Sequence, residues 1–290
     1  MASLLKGLGK TNVVCALHDA VPKLYGWMPG ASTILSLPEV RGRSFDTFVL
    51  VDANHLERAE SIVECIGDST RVIIVDHHLA DRFESEIHLI DSRYAATGEI
   101  LPELFDAADV AIDSDTAVAL YVALSTDTGS FRFGNTTPNS HRVASRLIAA
   151  GVNVADVTER IFDTMSRAKF MLLSRVLQGV RLSADGRVAA IHITRRDLEE
   201  TGAQPEDIEG LINYARGLEG VEIAILFRES GNGSIKLSSR ARPGFNCAEF
   251  MATFGGGGHA AAAGASISGT LDDVEQRVMQ ALEERLRKQA

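Results

Sequence analysis

Cysteine is scarce in this chain of 290 residues: there are three, Cys15, Cys65 and Cys247. Their number is odd, their spacing is wide and no CxxC pair occurs. That excludes a disulfide framework and a cysteine-built metal knuckle, and points to reduced thiols in a cytoplasmic protein. Long hydrophobic runs are also missing. None reaches the ~18 residues that cross a bilayer, and the first residues contain no apolar signal segment with a cleavage site. Basic charge is in deficit, with 29 Lys and Arg against 39 Asp and Glu and a net charge of −10. A protein that tracks a long duplex through its phosphates carries a basic stripe, and none is visible. The balance favours a short anionic substrate, with part of the acidic excess free to serve as metal ligands. Low-complexity sequence is absent before Gly255, and there is no internal repeat.

What is present is an ordinary globular composition, 45% apolar and 23% charged. The length suits two domains at about 100–200 residues each. In the first half, "NVVCAL", "DTFVLVD" and "RVIIVD" are short β-rich runs. "HLERAESIVECI", "GEILPELFDAA" and "TAVALYVALSTD" carry helical periodicity. Apolar strands separated by helices predict an α/β domain with a parallel sheet over residues 1–150, whose ligands sit beyond the carboxyl ends of the strands. Residues 151–180 read as a helical connector entered after an N-cap at Thr137 and Pro138. Residues 181–290 read as a smaller α+β domain, with strands "DGRVAAIHI", "VEIAILFRES" and "GSIKLSSR" and helices "PEDIEGLINYARGL" and "DDVEQRVMQALEERLRK". A cleft between the two domains is expected.

Five stretches could carry chemistry. "RVIIVDHH" ends a buried strand on Asp76, His77 and His78. Adjacent residues of an extended segment point apart, so one imidazole can bind metal while the other reaches a phosphate. Asp52 ends the neighbouring strand; strands ~4.8 Å apart bring such a carboxylate near the imidazoles, although Asp52 could instead cap a helix starting near His55. Asp127 ends an apolar helix, where it opposes the helix dipole at a cost of ~0.3–1 kcal/mol that a bound cation would offset. "FGGGGHAAAAGA" puts Gly255, Gly256, Gly257 and Gly258 before His259. Four glycines in a row disfavour helix and strand alike and let backbone N–H groups approach an anion, although a flexible linker is the plain alternative. Arg240, closing "IKLSSR", is a candidate phosphate or base contact.

In combination and in order, "VDHH", "TGEI", "STDTGSFRFGNTTP", "ILFRES", "IKLSSR" and "FGGGGH" resemble the DHH phosphoesterase superfamily with a DHH-associated C-terminal domain, nearest its nanoRNase and pAp phosphatase group. The resemblance runs from about residue 3 to residue 282. It implies a metal-dependent phosphodiesterase acting on short single-stranded oligonucleotides such as pApA and pGpG, and on 3′-phosphoadenosine 5′-phosphate (pAp), giving mononucleotides. Two Mn2+ ions are usual, with Mg2+ or Co2+ as substitutes. Asp52 would bridge the metals, His77 and Asp127 would be ligands, His78 would contact the scissile phosphate and Asp76 would orient the imidazoles. Arg240, Gly255 to Gly258 and His259 would hold the substrate's far end. No long duplex and no membrane is expected as partner, and a homodimer is compatible with the pattern.

Two departures stand out. The family's opening His and Asp-x-Asp set, which supplies the remaining metal ligands, is not found, and His18 and Asp19 align with a later family segment. The expectation is therefore a chain cut inside its first helix by a misplaced start codon or an artificial truncation, weakly active or inactive as it stands. Ala260 occupies a position that is often basic in the group. The rival readings are a cyclic-dinucleotide phosphodiesterase and a catalytically impaired nucleotide-binding homologue. RecJ-like exonucleases and family II pyrophosphatases fit less well, the first for want of an added domain and the second because of the glycine loop.

Overall fold

β-Branched and aliphatic residues crowd the runs around Val49, Ile73 and Leu89, and in the computed structural model these become neighbouring parallel strands. The structure describes residues 1–79, 82, 85, 87–231 and 233–287. The chain divides into two compact units, Met1–Thr164 and Met165–Ala290.

In the first unit, α1 (Ala2–Gly7) precedes a short parallel pairing of β1 (Ala16–Leu17) with β2 (Leu35–Ser36), and α2 (Leu37–Val40) follows it. β3 (Thr47–Val51), β4 (Arg71–Asp76) and β5 (Ile87–Ile90) form a parallel sheet in that order, with Val51 opposite Val75 and Asp76 opposite Ile90. Helices α3 (Thr97–Ala107), α4 (Ser114–Asp127) and α5 (Pro138–Ala149) pack through Ile100, Leu101, Leu120, Leu124 and Leu147 onto Val75. Thr137 caps α5, its hydroxyl accepting from the Asn139 and Ser140 N–H groups. α6 (Val154–Thr158) runs into a π turn over Glu159–Asp163. The helix expected over "HLERAESIVECI" is a 3-10 segment, Leu56–Cys65, broken where Glu60 takes φ 48° and ψ −134°. Periodicity alone cannot register such a kink.

In the second unit, α7 (Arg167–Gln178) buries Leu172, Leu173 and Val176 in that unit's own core. The stretch 151–180 is thus shared between the units: residues 151–164 belong to the first and α7 to the second. A six-stranded sheet follows, built from β6 (Arg181–Leu182), β7 (Val188–Ile193), β8 (Ile223–Glu229), β9 (Ser234–Ala241), β10 (Gly257–His259) and β11 (Ala262–Ser268) in the order β10-β11-β9-β8-β7-β6. Only β7 and β8 run parallel. α8 (Arg195–Thr201) and α9 (Leu211–Arg216) lie between β7 and β8 in sequence; the single helix read over "PEDIEGLINYARGL" is split by Gly210 at φ +83°. α10 (Cys247–Ala252) and α11 (Leu271–Arg287) cover one sheet face through Phe250, Met251, Val274, Val278 and Leu282, while α7 and α9 cover Ile191, Ala224 and Leu226 on the other. Lys288, the last residue of the expected terminal helix, lies outside the described residues. No helix among the described residues is long and apolar enough to cross a membrane.

Candidate metal centre

Asp52 is the first residue beyond β3, and its N–H still donates to the Val75 carbonyl at 2.9 Å. Its backbone turns into the left-handed region, φ +64°, which swings the carboxylate across the end of the sheet. There Oδ1 accepts from the hydroxyl of Thr97, the buried first residue of α3, at 2.7 Å. Capping is excluded: the 3-10 segment begins after His55 and has no side-chain cap.

His77 follows β4. Its Nδ1 lies 3.3 Å from the Tyr94 carbonyl, which can only accept, so Nδ1 carries the proton and Nε2 keeps its lone pair. Nε2 is buried without a hydrogen-bond partner. It faces Asp52 Oδ1 at 3.7 Å and Asp127 Oδ2 at 3.5 Å. A bare imidazole nitrogen facing two carboxylate oxygens is a repulsive arrangement of acceptors that a cation would relieve. Ligand atoms ~2.0–2.2 Å from a divalent ion stand about 3–3.5 Å from each other, so the donor set fits one. The orphaned Nε2 is the observation that makes this a candidate metal centre.

Asp76 is fully buried. Its Oδ1 accepts from the His77 N–H at 2.8 Å and from His78 Nδ1 at 2.8 Å. Potential ligand atoms of Asp52, Asp76, His77 and His78 all lie within 4.8 Å of one another. Asp76 Oδ1 is committed to the two histidines and orients them, while Oδ2 is buried without a hydrogen-bond partner; Asp127 faces the bare imidazole nitrogen directly. With Nδ1 held, His78 turns Nε2 away from Asp76, and its side chain is 40% exposed. Among the described residues no further His, Cys, Asp or Glu group clusters this closely. His18 is instead paired with Glu60 at 3.3 Å.

Asp127, at the last turn of α4, is pushed up to about 6 by burial and then by the charge of Asp52. Its folded pKa lies above the unfolded value of 3.8, so the metal-free fold binds an extra proton between these limits. This group's contribution to stability is therefore lost as pH rises from about 4 to 6. Asp127→Asn removes that repulsion. A third of the side chain is exposed, so water screens much of it and ~1 kcal/mol survives. We expect the metal-free variant to melt about 2–4 °C higher than the parent at pH 7 and to lose the stabilisation that Mn2+ gives the parent. A lower melting temperature in the metal-free variant would contradict this.

In the second unit, Arg240 sits near the end of β9 opposite Ala224 and Ala262, half-buried, its guanidinium donating to the Ser239 carbonyl at 3.0 Å. The glycine run is a hairpin arm: Gly257 and Gly258 lie in β10, contrary to the expectation that four glycines disfavour a strand. Two of them are required by sterics. A Cβ at Gly256 would stand 2.2 Å from the Gly264 carbonyl, and one at Gly258 2.6 Å from that of Ala262. Gly255 turns at φ +73°. Gly257 alone has an unrestricted φ and open space around its missing Cβ. His259 ends the arm, exposed.

The chain resembles known proteins along nearly its whole length. Residues 185–288 match the DHHA1 domain. The bifunctional oligoribonuclease and PAP phosphatase NrnA of Thermus thermophilus is 34% identical over 216 residues, 74% of this chain and 64% of that protein. The chain thus spans somewhat less than two thirds of that relative. The Bacillus subtilis protein of the same name is 24% identical over 245 residues, covering 82% of this chain and 76% of its own length. A crystal structure of an exopolyphosphatase-related protein from Bacteroides fragilis superposes with a TM-score of 0.89 at 25% identity, covering 99% of this chain and 88% of that one. The second unit carries a DHHA1 domain, and the chain as a whole resembles the DHH phosphoesterases.

In the sequence "TGEI" is only a matching motif; the structure gives it three tasks. Thr97 holds Asp52, Glu99 accepts from the Ala95 N–H at 2.8 Å, and Gly98 lets α3 touch α4. Two further positioning residues escaped the sequence reading. Asn54 donates to the Leu79 carbonyl at 2.6 Å, fastening the backbone just after His78. Asn135 donates to the carbonyls of Ala95 and Asp127 at 3.2 and 3.1 Å, fastening the end of α4. Asparagine followed by two threonines in a loop was the available signal, and it names no partner.

Proposed function

We propose that this chain is a divalent-metal phosphoesterase that cleaves the diester of short single-stranded oligonucleotides such as pApA and pGpG to mononucleotides, and the 3′ monoester of pAp to AMP and phosphate. The observation that carries the reading is the bare His77 Nε2 between Asp52 and Asp127. The relatives from Thermus and Bacillus named for oligoribonuclease and PAP phosphatase activity support the substrate class. Asp52, His77 and Asp127 would hold the metal, manganese by preference, and the bound ion would supply a hydroxide nucleophile and charge neutralisation on the phosphate. Asp76 fixes the tautomer of His78 and leaves its Nε2 available to a phosphate oxygen. Arg240, His259 and the N–H groups around Gly257 would take the substrate's other phosphate.

The donor set favours a limited form of this activity. Three convergent ligands suit one ion, so about one Mn2+ per chain and slow turnover are expected. Incubating the full chain with Mn2+ and pApA, pGpG, pAp or cyclic di-AMP, with chelator controls, tests the reading by product chromatography. Chelator-sensitive release of AMP from pApA is expected. No hydrolysis of the linear substrates with Mn2+, Mg2+ or Co2+ would refute it, and preferential opening of cyclic di-AMP would favour the cyclic-dinucleotide alternative.

Gly257→Ala separates the two uses of the glycine arm. With no strain and no steric neighbour, the change should leave the melting temperature unchanged or slightly raised. A phosphate held against that backbone would be displaced by the methyl group, and pApA binding should weaken about tenfold. Unaltered binding would remove Gly257 from the substrate site.

A further inference from the structure

On one side of the second unit's sheet, Arg228 of β8, Lys236 of β9 and Ser266 of β11 stand in a single cross-strand row. Their neighbours Phe227, Ile235, Leu237 and Ile267 alternate to the opposite side, into the core. The row floors a groove of about 540 Å³, joined by Ser230 and walled by Leu198, Pro205 and Ile208. The groove also contains Glu229, one carboxylate oxygen of which, Oε2, accepts from the Arg195 N–H at 2.8 Å.

Arg228 and Lys236 are directly paired residues of like charge, an arrangement that costs stability in an antiparallel ladder. Neither makes an ion pair or a side-chain hydrogen bond among the described residues. Elsewhere in this acidic chain arginines find partners: Arg187 with Glu222, Arg181 with Glu275, Arg285 with Glu249. Two cations left facing each other, with hydroxyls beside them, form a site that an anion completes. The apolar wall supplies a surface for a base.

We propose that this groove binds a phosphate of an oligonucleotide chain extending past the anchor at Arg240, so that it favours substrates longer than a dinucleotide. Arg240 lies on the same strand and the same face, four residues from Lys236, or ~13 Å at ~3.3 Å per residue. A chain of a few nucleotides bridges that distance and a dinucleotide held at Arg240 does not. The inference rests on the oligonucleotide reading above.

Binding of fluorescent pA2 and pA5 to the full chain, measured by anisotropy in chelator so that nothing is cleaved, tests it without relying on turnover. The parent is expected to bind pA5 about tenfold tighter than pA2. Lys236→Ala and Arg228→Ala should each lose most of that advantage, leaving pA2 within twofold. The slope of log Kd against log salt for pA5 should fall by about 0.7 per phosphate contact removed. Melting temperatures should hold or rise, because a like-charge pair is relieved. Unchanged pA5 affinity and salt slope in both variants would overturn the inference, as would equal loss of pA2 and pA5. A parent that binds neither oligonucleotide overturns the oligonucleotide reading and this inference with it. AMP binding that Lys236→Ala removes while pA5 affinity holds would overturn it in favour of a mononucleotide site.

Discussion

His77→Ala is expected to abolish the stabilisation of this chain by Mn2+ and to lower pApA hydrolysis by a factor on the order of 10³ or more. The size follows from position. Nε2 is the one neutral donor facing both Asp52 and Asp127, and removing it leaves two carboxylates that must hold a cation without the atom between them. The loss of several kcal/mol of charge stabilisation at a phosphate corresponds to such a factor. His18→Ala is the matched control. It removes an imidazole paired with Glu60, and should change neither metal-dependent melting nor hydrolysis by more than about twofold. Retention of Mn2+-dependent melting in His77→Ala, measured by scanning fluorimetry, would dismantle the proposed centre.

The second large effect comes from a residue with no polar atoms in its side chain. A Cβ at Gly98 would stand 2.9 Å from the Leu120 carbonyl, 3.1 Å from Ala123 Cβ and 3.1 Å from the Leu124 N. Two of these three contacts are backbone of α4, which cannot step aside as a flexible side chain would. Helix propensity alone favours Gly98→Ala by about 1 kcal/mol. Overpacking against a neighbouring helix costs ~1–3 kcal/mol, and here the contacts are tight enough for the collision to win. A fall in melting temperature of roughly 2–8 °C follows from ~1–2 kcal/mol net. The separation of α3 from α4 also moves Thr97 away from Asp52 and shifts Asp127, so metal affinity should drop by about 10–100-fold, as it does when ligand-orienting partners are lost. A rise in melting temperature would mean that propensity, not packing, governs the position.

The parts of this centre that could be read from the sequence are those whose meaning is local. An apolar strand ending in Asp52, another ending in Asp76, His77 and His78, and an apolar helix ending in Asp127 all announce themselves within a few residues. Parallel pairing of β3 with β4 then brings the strand ends together, because Val51 faces Val75. Thr97 and Asn135 were not legible in role, since their partners lie 45 and 40 residues away and a hydroxyl or amide in a loop has many possible partners. Gly98 was equally silent, because only the close approach of α4 distinguishes it from any helical glycine. The glycine arm misled in part: a run of four suggests a loop, yet β11 pairs with two of them and steric demand accounts for Gly256 and Gly258. The kink at Glu60 is a tertiary outcome that a regular periodic pattern conceals.

Asp52 adopts a left-handed backbone, and this narrows what evolution or an engineer can do there. That conformation is strained for most side chains and least so for glycine, asparagine and aspartate. Glycine and asparagine offer no negative charge, and glutamate offers the charge on a side chain poorly suited to the turn. Of the residues that tolerate the bend, aspartate alone is anionic, so a drifting lineage has almost no neutral path through this position. A homologue that kept the turn but carried asparagine there would be recognisable at once as having relinquished its metal while keeping its shape.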